Sequence, residues 1–362
     1  MEKIKAFLKR KDIVISGRRY GIDALGAMAQ GLFCSLLIGT ILDTLGKQLG
    51  IAALVTVGSY ASAMSGAAMA IAIGYALKAP PLVLFSLTTV GYAANALGST
   101  TLSGGKGAGG PLAVLFIAII AAEFGKAVSK ETKIDILVTP LVTILVGVGL
   151  SAWWAPAIGT AASSVGSIIM WATEQQPFLM GIVVSVVIGV ALTLPISSAA
   201  ICAALGLTGL AGGAAVAGCC AQMVGFAVLS FRENRWGGLV SQGLGTSMLQ
   251  MGNIVKNPRI WIPATLASAI TGPIATCLFR FQMNDPASGV ASGMGTCGLV
   301  GPIGVYAGWV NDVANGVKAA ITGMDWLAMA LICFILPAVL TWLIGIPCRK
   351  LGWIKEGDLK LD

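Results

Sequence analysis

Apolar runs of span length recur along this chain of 362 residues, joined by short polar segments. Only 10% of the residues are charged, against about 25% in a soluble globular chain. With 56% hydrophobic residues and a mean hydropathy of +0.88, a single soluble core could not cover itself with polar groups. A helix needs roughly 20 apolar residues to cross the hydrocarbon layer. Lipid offers no hydrogen bonds, so each span must close its own backbone ladder. The expected fold is therefore all-α, a polytopic integral membrane protein of about ten transmembrane helices. The runs lie at 22–42, 49–77, 82–98, 112–125, 135–154, 178–200, a run ending near 231, 260–280, 299–316 and 326–346. The run at 49–77, rich in Gly, Ala and Ser, reads as one tilted helix packed on both faces.

Two stretches interrupt this pattern. Residues 284–302 hold five glycines and two prolines in nineteen positions, between two apolar runs. Residues 98–111 form a second Ser/Thr/Gly-rich break, also ended by Gly-Pro. Irregular backbone at membrane depth is tolerated only where protein covers it or where it lines a wet cavity. In transporters such broken segments hold the substrate. The competing reading is a flexible external loop. Hydroxyl and amide side chains suit a sugar-like solute because they both donate and accept. The expected substrate groups are Asn284, Asp285, Ser288, Ser292 and Thr296 from one half, with Asn95, Ser99, Thr100 and Ser103 from the other. The first break is no phosphate loop, since Lys106 is followed by Gly107 and no strand precedes it.

Acids inside spans and breaks are few: Asp23, Glu123, Asp135, Asp285, Asp312 and Asp325. An intramembrane acid is by default a functional candidate, and Asp285 and Glu123 are the preferred coupling-ion residues. Lys126, three residues on, offers Glu123 a plain salt bridge, and Asp135 reads as a helix cap. The chain has no histidine and no C-x-x-C among its eight cysteines. No catalytic residue, metal site or cofactor is therefore expected.

The net charge of +8 does not point to nucleic acid. Seven of the 23 basic residues fall in the first nineteen positions and four follow the last apolar run. Basic flanks mark the cytoplasmic side, so both termini are expected inside. Ile4, Phe7 and Leu8 would rest the N-terminus on the membrane surface. A cleaved leader is not expected, because the first run is span-length and Ala27-Met28-Ala29 lies inside it. The organisation reads as a basic segment 1–21, a permease domain 22–346 with possible halves 22–177 and 178–346, and a tail 347–362. Between 201 and 255 the pattern conflicts: alternation puts Arg232 and Arg235 outside, whereas their charge favours inside. Residues 238–255 are polar enough for an amphipathic or re-entrant helix. Lys78-Ala79-Pro80-Pro81 and Lys256-Asn257-Pro258-Arg259 each precede a span, a Gly-rich break and a Gly-Pro, either a repeat or a chance echo.

The span that opens Gly-Ile-Asp-Ala-Leu-Gly at 21–26, the run Thr-Lys-Ile-Asp-Ile-Leu-Val-Thr-Pro at 132–140 and the Asn-Asp-Pro to Gly-Pro-Ile-Gly-Val-Tyr stretch at 284–306 carry a family likeness. The chain resembles the EIIC-like membrane proteins of bacterial sugar phosphotransferase systems, more narrowly the branch that includes the clostridial perfringolysin regulator. The resemblance implies a dimeric permease of the bacterial cytoplasmic membrane. It also implies a sugar held at mid-membrane between the broken segments, and separate EIIA- and EIIB-type partners. One departure matters: better-known members place a histidine and a glutamate near the sugar, and this chain lacks histidine.

The expected function is transport of a small polar solute, most simply a sugar. Two alternatives stay open, a membrane regulator acting through a protein partner and an ion-coupled transporter of a small organic acid. An intramembrane enzyme lacks a convincing pair of catalytic groups.

Overall fold

The computed structural model describes residues 2–361, except 106, 165–168, 170, 174, 206 and 285–288. The described residues are helical apart from joins, the C-terminal tail and isolated β-bridges, among them Gly209 with Met283. They fall into two compact units, Met1–Ala162 and Ser163–Asp362.

The first unit contains α1 (Glu2–Arg10), α2 (Arg19–Lys47), α3 (Ala52–Ala63), α4 (Ser65–Ala76), α5 (Pro81–Gly98), α6 (Gly110–Val128) and α7 (Asp135–Ser163). Proline sets the start of α5 and α6, where its missing N–H costs nothing. Asp135 opens α7 by accepting from Lys130 N–H and the Thr139 hydroxyl, both at 2.6 Å. The helix runs past Trp153 and Trp154, its expected end.

The expected single helix over 49–77 is instead the pair α3 and α4, bent by 48° at Met64. Close packing accompanies the bend: both halves lie on α2, and α4 packs along α5 as well. At Gly58 in α3 a Cβ would lie 2.7 Å from the Asp43 nitrogen of α2. At Gly66 in α4 one would lie 2.6 Å from Asn95 Cβ of α5. Small residues permit both approaches.

The second unit contains α8 (Pro177–Thr193), α9 (Ser198–Ala204), α10 (Gly209–Leu229), α11 (Phe231–Val240), α12 (Met251–Lys256), α13 (Pro258–Leu278), α14 (Gly289–Ser292), α15 (Val300–Ala314) and α16 (Gly323–Lys350). Helix α10 is its centre, with 89% of its most apolar window buried. Its glycines let other chains close in: a Cβ at Gly225 would meet the Thr341 hydroxyl of α16 at 2.6 Å. Helix α8 stops at Thr193 because Leu194, ahead of Pro195, is extended.

Seven described helices are long and apolar enough to cross a membrane: α2, α5, α6, α7, α10, α13 and α16. The bent pair α3–α4 makes eight if taken as one span. Two of the expected spans are shorter. Helix α8 has 17 residues and α15 has 15, about 26 and 23 Å at 1.5 Å per residue. Neither covers a hydrocarbon layer of about 30 Å without tilted or thinned surroundings.

Candidate functional site

In the second unit the chain leaves α13 and crosses Gly209 by paired backbone bonds, Gly209 N–H to Met283 O at 2.8 Å and Met283 N–H to Gly209 O at 3.1 Å. Asn284 follows at once. Its amide nitrogen donates to both carboxylate oxygens of Asp312, at 3.1 and 2.9 Å, and to Gln282 Oε1 at 3.0 Å. Asn311 Nδ2 donates to Asn284 O at 3.3 Å. The approach is close because α15 presents Gly308 there, where a Cβ would lie 2.8 Å from Asn284 N. Asp312 is buried, and among the described residues no cation pairs with it. The arrangement offers one carboxylate and three amides in a partly buried setting.

Farther along the same break, the described hydroxyl side chains point inward. Ser292 and Thr296 are fully buried. The Thr296 hydroxyl donates to Gly243 O at 2.5 Å, and Ser198 Oγ donates to Gly293 O at 2.7 Å. Gly295 and Gly298 take positive φ, 54° and 51°, where a side chain would be strained. At Gly295 a Cβ would also lie 2.7 Å from Cys219 Cβ of α10. The described part of the break from Gly289 on is thus folded onto α9, α10 and the turn at 241–245. Asp285 and Ser288, together with Pro286 and Ala287, lie outside the described residues.

In the first unit the break between α5 and α6 is a compact hairpin-like turn. Gly107 N–H donates to Ser99 O at 2.8 Å, Thr101 N–H to Gly105 O at 2.9 Å and Gly109 N–H to Gly98 O at 3.1 Å. Thr160 of α7 anchors it by accepting from Leu102 N–H at 3.0 Å. The Asn95 amide reaches Ser65 Oγ at 3.4 Å, and the Ser99 and Thr100 hydroxyls return to carbonyls of α5. Ser99 and Ser103 are exposed, Asn95 and Thr100 half-buried. Lys106 lies outside the described residues. The turn joins the far ends of α5 and α6 from Lys126, whose ammonium meets Leu77 O just before α5 begins.

Glu123 belongs to that other end of the unit. Lys126 Nζ is 3.0 Å from Glu123 Oε2, and Tyr20 donates to Glu123 Oε1 at 3.1 Å. The same buried ammonium donates to Asp12 O at 2.7 Å and Leu77 O at 2.9 Å. This tie holds the N-terminal segment against α6, helped by ion pairs from Arg10 and Lys11 to Glu131. The sequence offered the pair through its spacing of three. It gave no hint of Asp12 or Leu77.

Residues 231–257 resolve into short helices whose buried and half-buried amides face the tail. Gln250 Nε2 donates to Leu359 O and to Gln242 Oε1, both at 2.9 Å. Asn234 Nδ2 donates to Leu359 O and Asn253 Nδ2 to Lys360 O, both at 2.8 Å. Asn257 Nδ2 reaches Trp353 O and Asp358 Oδ2, again at 2.8 Å. Arg232, Arg235 and the tail therefore share one end of this unit.

A family model described as phosphotransferase system, EIIC, matches residues 22–361. The chain belongs to that family. This EIIC protein is thus a multi-pass bacterial membrane protein, a permease component of a sugar phosphotransferase system. Sugar is the substrate class that membership implies, and EIIA- and EIIB-type proteins are the partner class. No curated protein and no solved structure matches it.

Sequence reading did not group Asn311, Asp312 and Gln282 with Asn284. The available signal was Asp312 itself, an acid within an otherwise apolar run. Among the expected groups, the structure places Asn284 against Asp312, buries Ser292 and Thr296 farther along the break, and sets Ser99, Thr100 and Ser103 in one turn with Asn95 in the helix before it.

Proposed function

We propose that this EIIC protein carries a small sugar-like solute across the membrane, and that the second break supplies the polar groups that hold it at mid-membrane depth. The supporting observation is the Asn284–Asp312 pair with Asn311 and Gln282 beside it. A carboxylate accepts from sugar hydroxyls, and amides both donate and accept. Such bonds strengthen where water is scarce. Asp285 and Ser288 extend the proposed set. Ser292 and Thr296 join it when the segment opens, since both are buried in the state described. Asn95, Ser99, Thr100 and Ser103 form a second group of solute contacts in the proposal. A coupling proton or cation would reside on Asp285, or on Glu123 if Lys126 releases it.

The domain reading belongs to the same proposal: a permease over 22–346 with repeat-related halves 22–177 and 178–346. Its support is order, since a proline start, a span, a break and a Gly-Pro helix start occur once in each unit. The basic residues around Lys126 and those around Arg349 support cytoplasmic termini. Assembly as a homodimer completes the reading by family likeness.

The test is a thermal-shift titration of the purified protein in detergent against sugars, polyols, sugar phosphates and small organic acids. A ligand at one hundred times its Kd adds about 2.7 kcal/mol of apparent stability. A sugar should raise Tm, and Asp312→Asn or Asn284→Ala should weaken its binding about tenfold or more, the cost of a hydrogen bond to a charged group. Unchanged affinity in both variants removes this cluster from the site. A shift from organic acids alone replaces the sugar reading.

A further inference from the structure

At the basic end of the second unit lies a groove of about 660 Å³ between the end of α10, α11 and the end of α16. Its chemistry is divided. Arg232, Arg349 and Lys350 supply positive charge, while Phe231, Trp236 and Trp342 supply aromatic surface, backed by the aliphatic side chain of Leu239. Trp236 and Trp342 are exposed, at 71% and 54%, and Trp236 stands edge-on to Phe231 with ring centroids 5.4 Å apart. Exposed tryptophans beside basic residues at helix ends are the composition of a membrane interface.

The charge balance within the groove narrows the occupant. Arg349 is already held, by Glu233 at 3.0 Å and by Leu229 O at 2.9 Å. Arg232 and Lys350 are exposed and have no acidic partner among the described residues. The groove therefore presents net positive charge next to an apolar flank. An anionic headgroup at one end and an acyl chain along the aromatic side complement both parts. A zwitterionic lipid would complement only the second. Basic pockets at the cytoplasmic ends of spans bind anionic lipids through this same combination.

We propose that this groove is a binding site for an anionic phospholipid, with Arg232 and Lys350 on the phosphate-bearing headgroup and Trp236 and Trp342 against its upper chain. The site is independent of the solute cluster around Asn284, so either proposal can fail alone.

The test uses the full chain, delipidated in dodecyl maltoside, titrated with dioleoyl-phosphatidylglycerol and separately with dioleoyl-phosphatidylcholine, bound lipid being counted by native mass spectrometry. Phosphatidylglycerol should bind the more tightly. Each basic residue near an anionic headgroup is worth about fivefold in affinity, so the pair Arg232→Gln and Lys350→Gln should weaken phosphatidylglycerol binding about twenty-five-fold. The matched pair Arg18→Gln and Lys133→Gln, equally exposed in the first unit, should leave it unchanged. Trp342→Ala should weaken both lipids alike. Equal affinity for the two lipids overturns the proposal. So does an equal loss in the matched pair, which would mean general charge attraction. Loss of a dimer with lipid binding intact would assign the groove to a second copy of the chain instead.

Discussion

Shortening Leu359 to alanine would test whether the tail is an integral part of the second unit. Leu359 is fully buried, and its carbonyl accepts from Asn234 and Gln250 at 2.8 and 2.9 Å. Leu361 N–H returns a bond to Asn234 Oδ1 at 2.8 Å, and Ile354 is 2% exposed. Buried leucine-to-alanine changes cost about 2–5 kcal/mol, depending on how far the site collapses. A terminal segment relaxes easily, so the lower part of that range applies, about 2.5 kcal/mol. All of it should fall on local opening of the tail, because the main-chain bonds are untouched. At about 1.4 kcal/mol per tenfold, the open population should rise about seventyfold. Trypsin cleavage after Lys355 follows that population when opening and closing outpace cleavage. The assay is the rate of tail cleavage in detergent, wild type against Leu359→Ala. Asn234→Ala, which removes two bonds to the tail, should give about thirtyfold at about 1 kcal/mol per bond. The reasoning is refuted if wild-type cleavage matches that of a free peptide of the same sequence. It is equally refuted if Leu359→Ala leaves the rate unchanged.

Two further outcomes follow from the N-terminal tie. Lys126→Met should destabilise the protein by about 3–5 kcal/mol, since it strands the Glu123 carboxylate and removes the donor to Asp12 O and Leu77 O; thermal unfolding should show partial recovery when Glu123→Gln is added. Asp12 should contribute an acid-sensitive component. Its hydrogen bond from Arg19 holds the carboxyl below the usual aspartate range, so its stabilisation is present above the unfolded-state pKa and is lost as pH falls through the folded one. The side chain is 45% exposed and screened, so the component is at most about 1 kcal/mol. The stability difference between wild type and Asp12→Asn, followed from pH 6 to pH 3, should therefore be small and should shrink toward the acid end.

Hydropathy alone determined that the chain is a helical membrane protein, because spanning length and backbone satisfaction depend only on residues near in sequence. Helix starts at Pro81 and Asp135 were legible for the same reason, as was the Glu123–Lys126 pair three residues apart. The bend at Met64 was not legible. It arises where the second half of one apolar run, packed like the first on α2, also packs along α5. Nor could local pattern pair Asn284 with Asp312, 28 residues away, or the amides of 234–257 with a tail more than 90 residues farther on. An isolated polar side chain in a sequence reads the same whether water, a solute or a distant carbonyl will satisfy it. Only tertiary packing decided which, because it alone determines where water is excluded and which buried donor finds an acceptor.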